Sequence, residues 1–195
     1  GCDDAPAEVR ANIATGLANG NSAYLGAAAS GGDVTWWQLL APGKGEASTD
    51  AKVVVHELGN SFQAVDAKRL NDDQVIALSV SSTDALEATI DHALDNDFDM
   101  VVLDGAGGLG TLSDELGDAP DLTILRDAVD YLRKLDREEE INLAYFGGVR
   151  SGTDAAKIIA LGGNAIILGV SVALAAGADF DGNAMQFGLG HNEED

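Results

Sequence analysis

Cysteine, histidine and proline are all scarce in this sequence of 195 residues. The single cysteine, Cys2, cannot form an internal disulfide. The three histidines stand far apart, so the sequence offers no ligand spacing typical of a metal site. We therefore expect neither a disulfide framework nor a bound metal ion.

Basic residues are also few, with 11 Lys and Arg against 33 Asp and Glu and a formal net charge of −22. Nucleic-acid phosphates and anionic membranes would repel such a chain, so we expect neither as a partner. The acidic residues are spread along the whole chain. This even distribution with few lysines is typical of a high-salt cytoplasm and predicts a halophilic source, while an ordinary acidic protein is the alternative.

Long hydrophobic runs are missing as well. Gly, Asn or Asp interrupts each apolar stretch before the ~20 residues that a membrane span requires, so we expect a cytoplasmic protein. The sequence begins with Gly1 instead of Met and has no signal-like apolar region there, and we interpret it as a fragment. Its 46% hydrophobic residues are enough for one sizeable core.

The most informative segment spans residues 141–176, where two apolar strands each run into glycine. Residues 143–146 lead directly into Gly147 and Gly148, and residues 165–168 lead into Gly169. Between them, residues 153–161 have the apolar spacing of a short helix, with Thr153 or Asp154 as its cap. The segment therefore predicts two successive strand-to-helix turns at one end of a parallel sheet.

These two glycine turns predict a phosphate site. Backbone N–H groups without neighbouring side chains attract an anion, and the last two strand-to-helix turns of βα barrels commonly bind phosphate. The alternative is that the glycines serve only to make tight turns.

Apolar runs predict four more strands, at residues 22–27, 52–57, 75–80 and 100–103, which makes six in all. Strands that alternate with helices predict an α/β fold, namely a TIM (β/α)8-type barrel that is incomplete at about six units. Residues 1–195 would form one domain, with residues 1–8 and 178–195 as loose ends. Trp36 and Trp37 are adjacent and would face opposite ways, one of them into the core.

Two further strand ends carry small residues that let a flat ligand approach the backbone. Ser30, Gly31 and Gly32 follow the first strand, and Gly105 begins a glycine-rich loop at residues 105–111. A plain loop is the alternative for residues 30–32. His56, Glu57 and Asp104 also stand at strand ends and are candidate acid–base groups.

Two segments, GGVRSGTDAAKIIALGGNAIILG and DMVVLDGAGGLGT, resemble the FMN-binding synthase domain of glutamate synthases. The resemblance implies FMN as the cofactor, with its phosphate at the glycine turns and its ring beside the Ser- and Gly-rich loop. The residues that it assigns to cofactor binding are Ser30, Gly31, Gly32, Gly105, Gly147, Gly148, Val149, Arg150 and Gly169.

The resemblance also implies an activity, the transfer of a hydride from reduced FMN to 2-iminoglutarate to give glutamate. The small-molecule substrate would be 2-oxoglutarate or a related compound. The sequence departs from the family in two places, since Ser79, Val80 and Ser81 stand where the family has a lysine and no cysteine cluster is present. An iron–sulfur route within this sequence is excluded. We therefore expect a separate electron-donor or amidotransferase subunit, and the catalytic residues stay unknown.

Two other functions are open at this stage. The chain could be a non-redox βα-barrel enzyme that binds a sugar phosphate at the glycine turns and uses strand-end acid–base groups. It could also be a barrel that has lost catalysis and survives as a partner subunit, as the missing lysine and cysteines suggest.

Overall fold

Seven short strands run parallel and curl around a shared apolar core. The computed structural model describes residues 5–107, 109, 115, 121–181 and 184–187. The elements in chain order are α1 (Ala7–Asn19), β1 (Ala23–Gly26), β2 (Thr35–Leu40), β3 (Val53–Glu57), β4 (Val75–Val80), α2 (Thr83–Asp95), β5 (Met100–Asp104), α3 (Thr123–Leu135), β6 (Asn142–Phe146), α4 (Gly152–Leu161), β7 (Ala165–Ile167), α5 (Val170–Ala175), β8 (Ala178–Asp181) and β9 (Ala184–Phe187).

The main sheet has the order β1-β2-β3-β4-β5-β6-β7, with every neighbouring pair parallel. All seven carboxyl ends therefore lie at one edge of the sheet. Among the described residues, β1 and β7 each pair on one side only. The predicted incomplete (β/α)8-type barrel is thus confirmed, with seven parallel strands where the sequence predicts six.

The two faces of the sheet bury different sets of residues because side chains alternate along a strand. The concave face joins residues of all seven strands in one cluster, from Leu25 of β1 to Ile167 of β7. A flat sheet would hold these two strands about 29 Å apart, so the sheet must curl. The convex face packs against α2, α3 and α4 through residues such as Leu78, Leu103 and Leu125.

The additional strand is β2, which contains both tryptophans. Trp37 joins the concave cluster, whereas the indole N–H of Trp36 donates to the carbonyl oxygen of Gly26 at 3.0 Å. The two rings therefore occupy opposite faces, as their adjacency predicts. Because β2 is only half-buried along most of its length, its pattern is less apolar than that of β3 or β4.

The last described segment also differs from its prediction. The strands β8 and β9 form an antiparallel hairpin, where the sequence pattern predicts a loose end from residue 178. The hairpin packs Ala178 and Phe180 against Ile13 of α1 and Ala173 of α5, which explains why it is ordered despite its short apolar pattern. Residues 1–4 and 188–195 of the predicted loose ends lie outside the described residues.

The described helices are short. The longest have 13 residues, and none in the described part of the chain is long and apolar enough to cross a membrane.

Candidate functional site

The carboxyl ends of β6 and β7 bring the two predicted glycine turns together. After Phe146, Gly147 and Gly148 have φ angles of +133° and +62°, a region that favours glycine. The next helix, α4, is capped by Ser151, whose hydroxyl accepts from the N–H of Asp154 at 3.2 Å and donates to its carboxylate at 2.9 Å. The cap is therefore Ser151, and the prediction of Thr153 or Asp154 is wrong by two or three residues.

A carboxylate is bound between these turns. Glu115 Oε2 accepts a hydrogen bond of 2.7 Å from the backbone N–H of Val170, and its side chain is only 3% exposed. The backbone N–H groups of Gly169 and Gly148 face the same carboxylate, and each lowers its pKa. We call these three N–H groups, from Gly148, Gly169 and Val170, the anion cradle.

The anion cradle lies next to an apolar cavity of about 250 Å³ between β1 and β7. Its walls come from both edge strands and from the concave cluster. Gly169 belongs to the cradle and also lines the cavity, so the two features share a border. The lining residues that matter here are Leu25, Trp37, Phe146, Ile167 and Gly169.

The other predicted cofactor residues near the cradle have local partners. Val149 is buried in the convex cluster, and the backbone N–H of Arg150 donates to Asp154 at 3.3 Å. A Cβ atom on Gly147 would lie 2.9 Å from the backbone nitrogen of Ala106. Glycine is therefore required at position 147 because the turns after β5 and β6 pack directly against each other.

Gly105 packs directly against Gly147, whereas the Ser30 loop follows β1 at the same edge of the sheet. A Cβ on Gly105 would collide with the hydroxyl of Tyr145, so the packing of the protein itself requires this glycine. Gly31 and Gly32 have positive φ angles and open space around them, while the hydroxyl of Ser30 is buried and has no partner among the described residues. The loop does not line the cavity. Residues 108, 110 and 111 of the predicted glycine-rich loop lie outside the described residues.

Two of the three candidate acid–base groups share the concave face. Glu57 is in register with Ser79, and Asp104 is in register with Phe146 of the concave cluster. The carboxylate of Asp104 is buried and accepts from the N–H groups of Ala106 and Gly107 at 3.0 and 2.9 Å.

His56 alternates to the convex face, where its ring lies 6.5 Å from that of Phe98 and burial lowers its pKa. The structure therefore separates His56 from Glu57 and Asp104.

Burial also changes the acidity of two glutamates at this edge. The pKa of Glu57 is raised by burial and then by the charge of Asp104, although Lys44 partly opposes this. Burial raises the pKa of Glu115, although the backbone N–H groups of Val170, Gly169 and Gly148 lower it in part. Both side chains therefore favour the protonated form in the folded protein more than in the unfolded chain.

These two glutamates predict a pH dependence of stability. A raised pKa in the folded state contributes stability below the ordinary value of 4.5, and that contribution is lost as the pH rises through the folded-state value. We expect the free energy of unfolding to fall as the pH rises above about 4.5, and the double variant Glu57→Gln, Glu115→Gln to reduce this slope. Denaturant unfolding at a series of pH values measures it.

The exposed pair Glu138 and Glu139 provides the control, since Glu→Gln at both positions removes the same charge from the surface. This variant should keep most of the slope. Equal slopes in the two double variants would show that general surface charge, not the buried pair, sets the pH dependence.

Sequence reasoning missed two members of this site. Val170 directly follows Gly169, so its N–H could have been included with the second turn. Glu115 lies 55 residues away from Val170, and no local pattern connects the two.

Comparison with known proteins identifies the family. The family model for the conserved region in glutamate synthase matches residues 5–180 of this chain. The chain belongs to the glutamate synthase family. A glutamate synthase large subunit-like protein of Rhizobium meliloti (strain 1021) is 40% identical over 83 residues. That match covers 40% of this glutamate synthase family chain and only 19% of the relative.

Solved structures with the same fold include a mandelate oxidase variant with a monooxide FMN adduct, at a TM-score of 0.57 and 19% identity. The similarity covers 87% of this glutamate synthase family chain and 62% of the oxidase, and it shows the shared barrel fold. FabK from Thermotoga maritima gives a TM-score of 0.49 at 15% identity over 88% of this chain and 49% of that chain.

Proposed function

We propose that this glutamate synthase family chain binds FMN and acts as an FMN-dependent oxidoreductase. The observation that carries the proposal is the shared border of the anion cradle and the apolar cavity at Gly169. FMN combines a terminal phosphate with a flat, largely apolar ring, and a ligand of that shape would use both features. The match to the glutamate synthase family supports the same cofactor.

The residues of the cradle fit the phosphate. The N–H of Val170 already donates to the carboxylate of Glu115, and those of Gly148 and Gly169 face it, so all three are oriented towards an anion. Phosphate oxygens accept the same hydrogen bonds and carry more charge, which strengthens each bond. The N–H groups of Gly148, Gly169 and Val170 would hold the phosphate, and the cavity wall formed by Phe146 and Ile167 would exclude water beside the ring.

The finer proposal is the glutamate synthase reaction itself. Bound FMN would supply the hydride that converts 2-iminoglutarate into glutamate. On the concave face, Glu57 is a candidate proton donor because its raised pKa favours the protonated form. Electrons would come from a separate donor subunit, since one cysteine cannot hold an iron–sulfur cluster.

Reconstitution with flavin tests the proposal. The purified chain should become yellow with FMN, bind close to one equivalent, and bind FMN more tightly than riboflavin, because riboflavin lacks the phosphate. Photoreduced, FMN-loaded protein should then be reoxidised by 2-oxoglutarate with ammonia in the absence of oxygen. A chain that stays colourless at saturating FMN would refute the cofactor. Reoxidation that ignores 2-oxoglutarate would refute only the finer reaction.

A second function is favoured by one observation, the electrostatic effect of one carboxylate on another across the concave face. Asp104 raises the pKa of Glu57, so one carboxyl can be protonated while the other is ionised, an arrangement that suits general acid–base catalysis on a sugar phosphate. Tight binding of a sugar phosphate together with no response to FMN would favour this alternative.

A further inference from the structure

Glu115 has no place in the proposed function, although it sits at the centre of the site. Glu115 is 3% exposed, and its carboxylate accepts a hydrogen bond of 2.7 Å from Val170 and faces the other two N–H groups of the anion cradle. The proposed function assigns those same N–H groups to the phosphate. Carboxylate and phosphate therefore require the same donors.

The two anions cannot be bound there together. Each backbone N–H has one hydrogen to donate, and the cradle provides three of them. Two like charges a few ångströms apart in a buried site repel strongly, because little water is present to screen them. A phosphate can enter the cradle only when the carboxylate of Glu115 has left it.

We propose that Glu115 is an internal competitor that sets the specificity of the anion cradle. Its carboxylate accepts from the N–H of Val170 and faces those of Gly148 and Gly169, and all three of these residues are buried. A small anion would form only the hydrogen bonds that the carboxylate gives up, so its net binding free energy would be small. A ligand that also fills the neighbouring cavity gains additional apolar contact and can displace the carboxylate.

This inference rests on the proposed function for the identity of the displacing ligand, FMN. The competition itself concerns any phosphate, because it depends only on the shared N–H groups. If Glu115 only stabilises the turns after β6 and β7, the opposite result is expected. Removal of its side chain would then destabilise both turns and lower the affinity for every ligand.

Two variants of Glu115 separate these roles. Glu115→Ala removes the competitor, and Glu115→Gln keeps its shape but not its charge, which guards against loss of the fold. Glu138→Gln is the matched control, since Glu138 is exposed and belongs neither to the cradle nor to the cavity lining. The ligands are FMN, riboflavin and inorganic phosphate, each followed by calorimetric titration, with thermal unfolding as the check on folding.

We expect FMN affinity to rise about 10- to 100-fold in Glu115→Ala and by a smaller factor in Glu115→Gln. Riboflavin affinity should change by less than about twofold, since riboflavin does not enter the cradle. Inorganic phosphate should bind measurably to the Ala variant and much less to the wild-type chain. Glu138→Gln should match the wild type.

Unchanged or weaker FMN and phosphate binding in folded Glu115 variants would overturn the inference, as would loss of the fold in both variants. The proposed function can fail separately. If no form of the protein binds FMN but Glu115→Ala gains phosphate binding, the competitor stands and the cofactor is wrong. If all forms bind FMN equally, the cofactor stands and the competitor is wrong.

Discussion

Gly148→Asp should abolish FMN binding, whereas Gly148→Asn should retain most of it. Position 148 has a φ angle of +62°, which Asp and Asn tolerate better than other side chains, so both variants should fold. The N–H of Gly148 belongs to the anion cradle. A carboxylate on this residue therefore lies close to the phosphate.

The expected effect is large because the repelling charges are close and poorly screened. One negative charge beside a phosphate dianion costs at least about 3 kcal/mol at the effective dielectric constant of a partly buried site, or roughly 100-fold in affinity. The neutral Asn occupies nearly the same volume and so isolates the charge. Fluorescence titration with FMN measures the difference, and riboflavin should show little of it.

Equal FMN affinity in the Asp and Asn variants would mean that the phosphate lies elsewhere. If both variants lose binding equally, the effect is steric, and the charge argument for the cradle fails. Repulsion of Glu115 by the new Asp cannot restore binding, since one carboxylate would only be replaced by another.

The melting temperature should rise steeply with potassium chloride. The net charge of −22 is spread along the chain, and acids face each other even across the groove between α2 and α3, which contains Asp84, Glu87, Asp127 and Asp130. The range of electrostatic repulsion falls from about 10 Å at 0.1 M salt to about 3 Å at 1 M. A gain of about 5 kcal/mol in the free energy of unfolding would raise the melting temperature by about 10 to 20 °C.

The groove provides a matched test of the cause. Glu87→Gln removes one of the facing charges and leaves the ion pairs of Asp127 and Asp130 intact, while Lys134 stays on the α3 side of the groove. At low salt this variant should melt higher than the parent, and the two curves should converge at molar KCl. A flat response to salt in the parent would contradict both the electrostatic account and the proposal of a halophilic source.

The sequence predicts strands well where both faces of the sheet are buried. The continuous apolar runs of β3 and β4 predict strands, because such runs are typical of strands whose side chains are buried on both faces. The strand β2 is missed because it is half-buried, so its residues TWWQLL have no continuous or alternating pattern. The hairpin of β8 and β9 depends on contacts with α1 and α5, which are distant in sequence.

The sequence also predicts only part of the site. The glycines mark the two turns correctly, but the presence of glycine in the sequence does not show why a side chain is excluded there. At Gly148 the N–H faces an anion, whereas at Gly147 and Gly105 the neighbouring chain fills the space. Glu115 reaches the cradle through the tertiary fold alone, so its role could not be read from its neighbours in the sequence.

The open order of the sheet has a consequence for how ligand binding and folding are linked. In the part of the chain that the structure describes, the edge strands β1 and β7 each have one neighbour, so they can detach without disturbing the pairs between β3 and β6. Local opening of an edge strand costs less free energy than local opening of a central strand. The cavity lies between these two edges, and the cradle lies beyond the end of β7. A ligand bound there would contact both edge strands. Its binding free energy would therefore stabilise the two strands that separate most easily from the sheet.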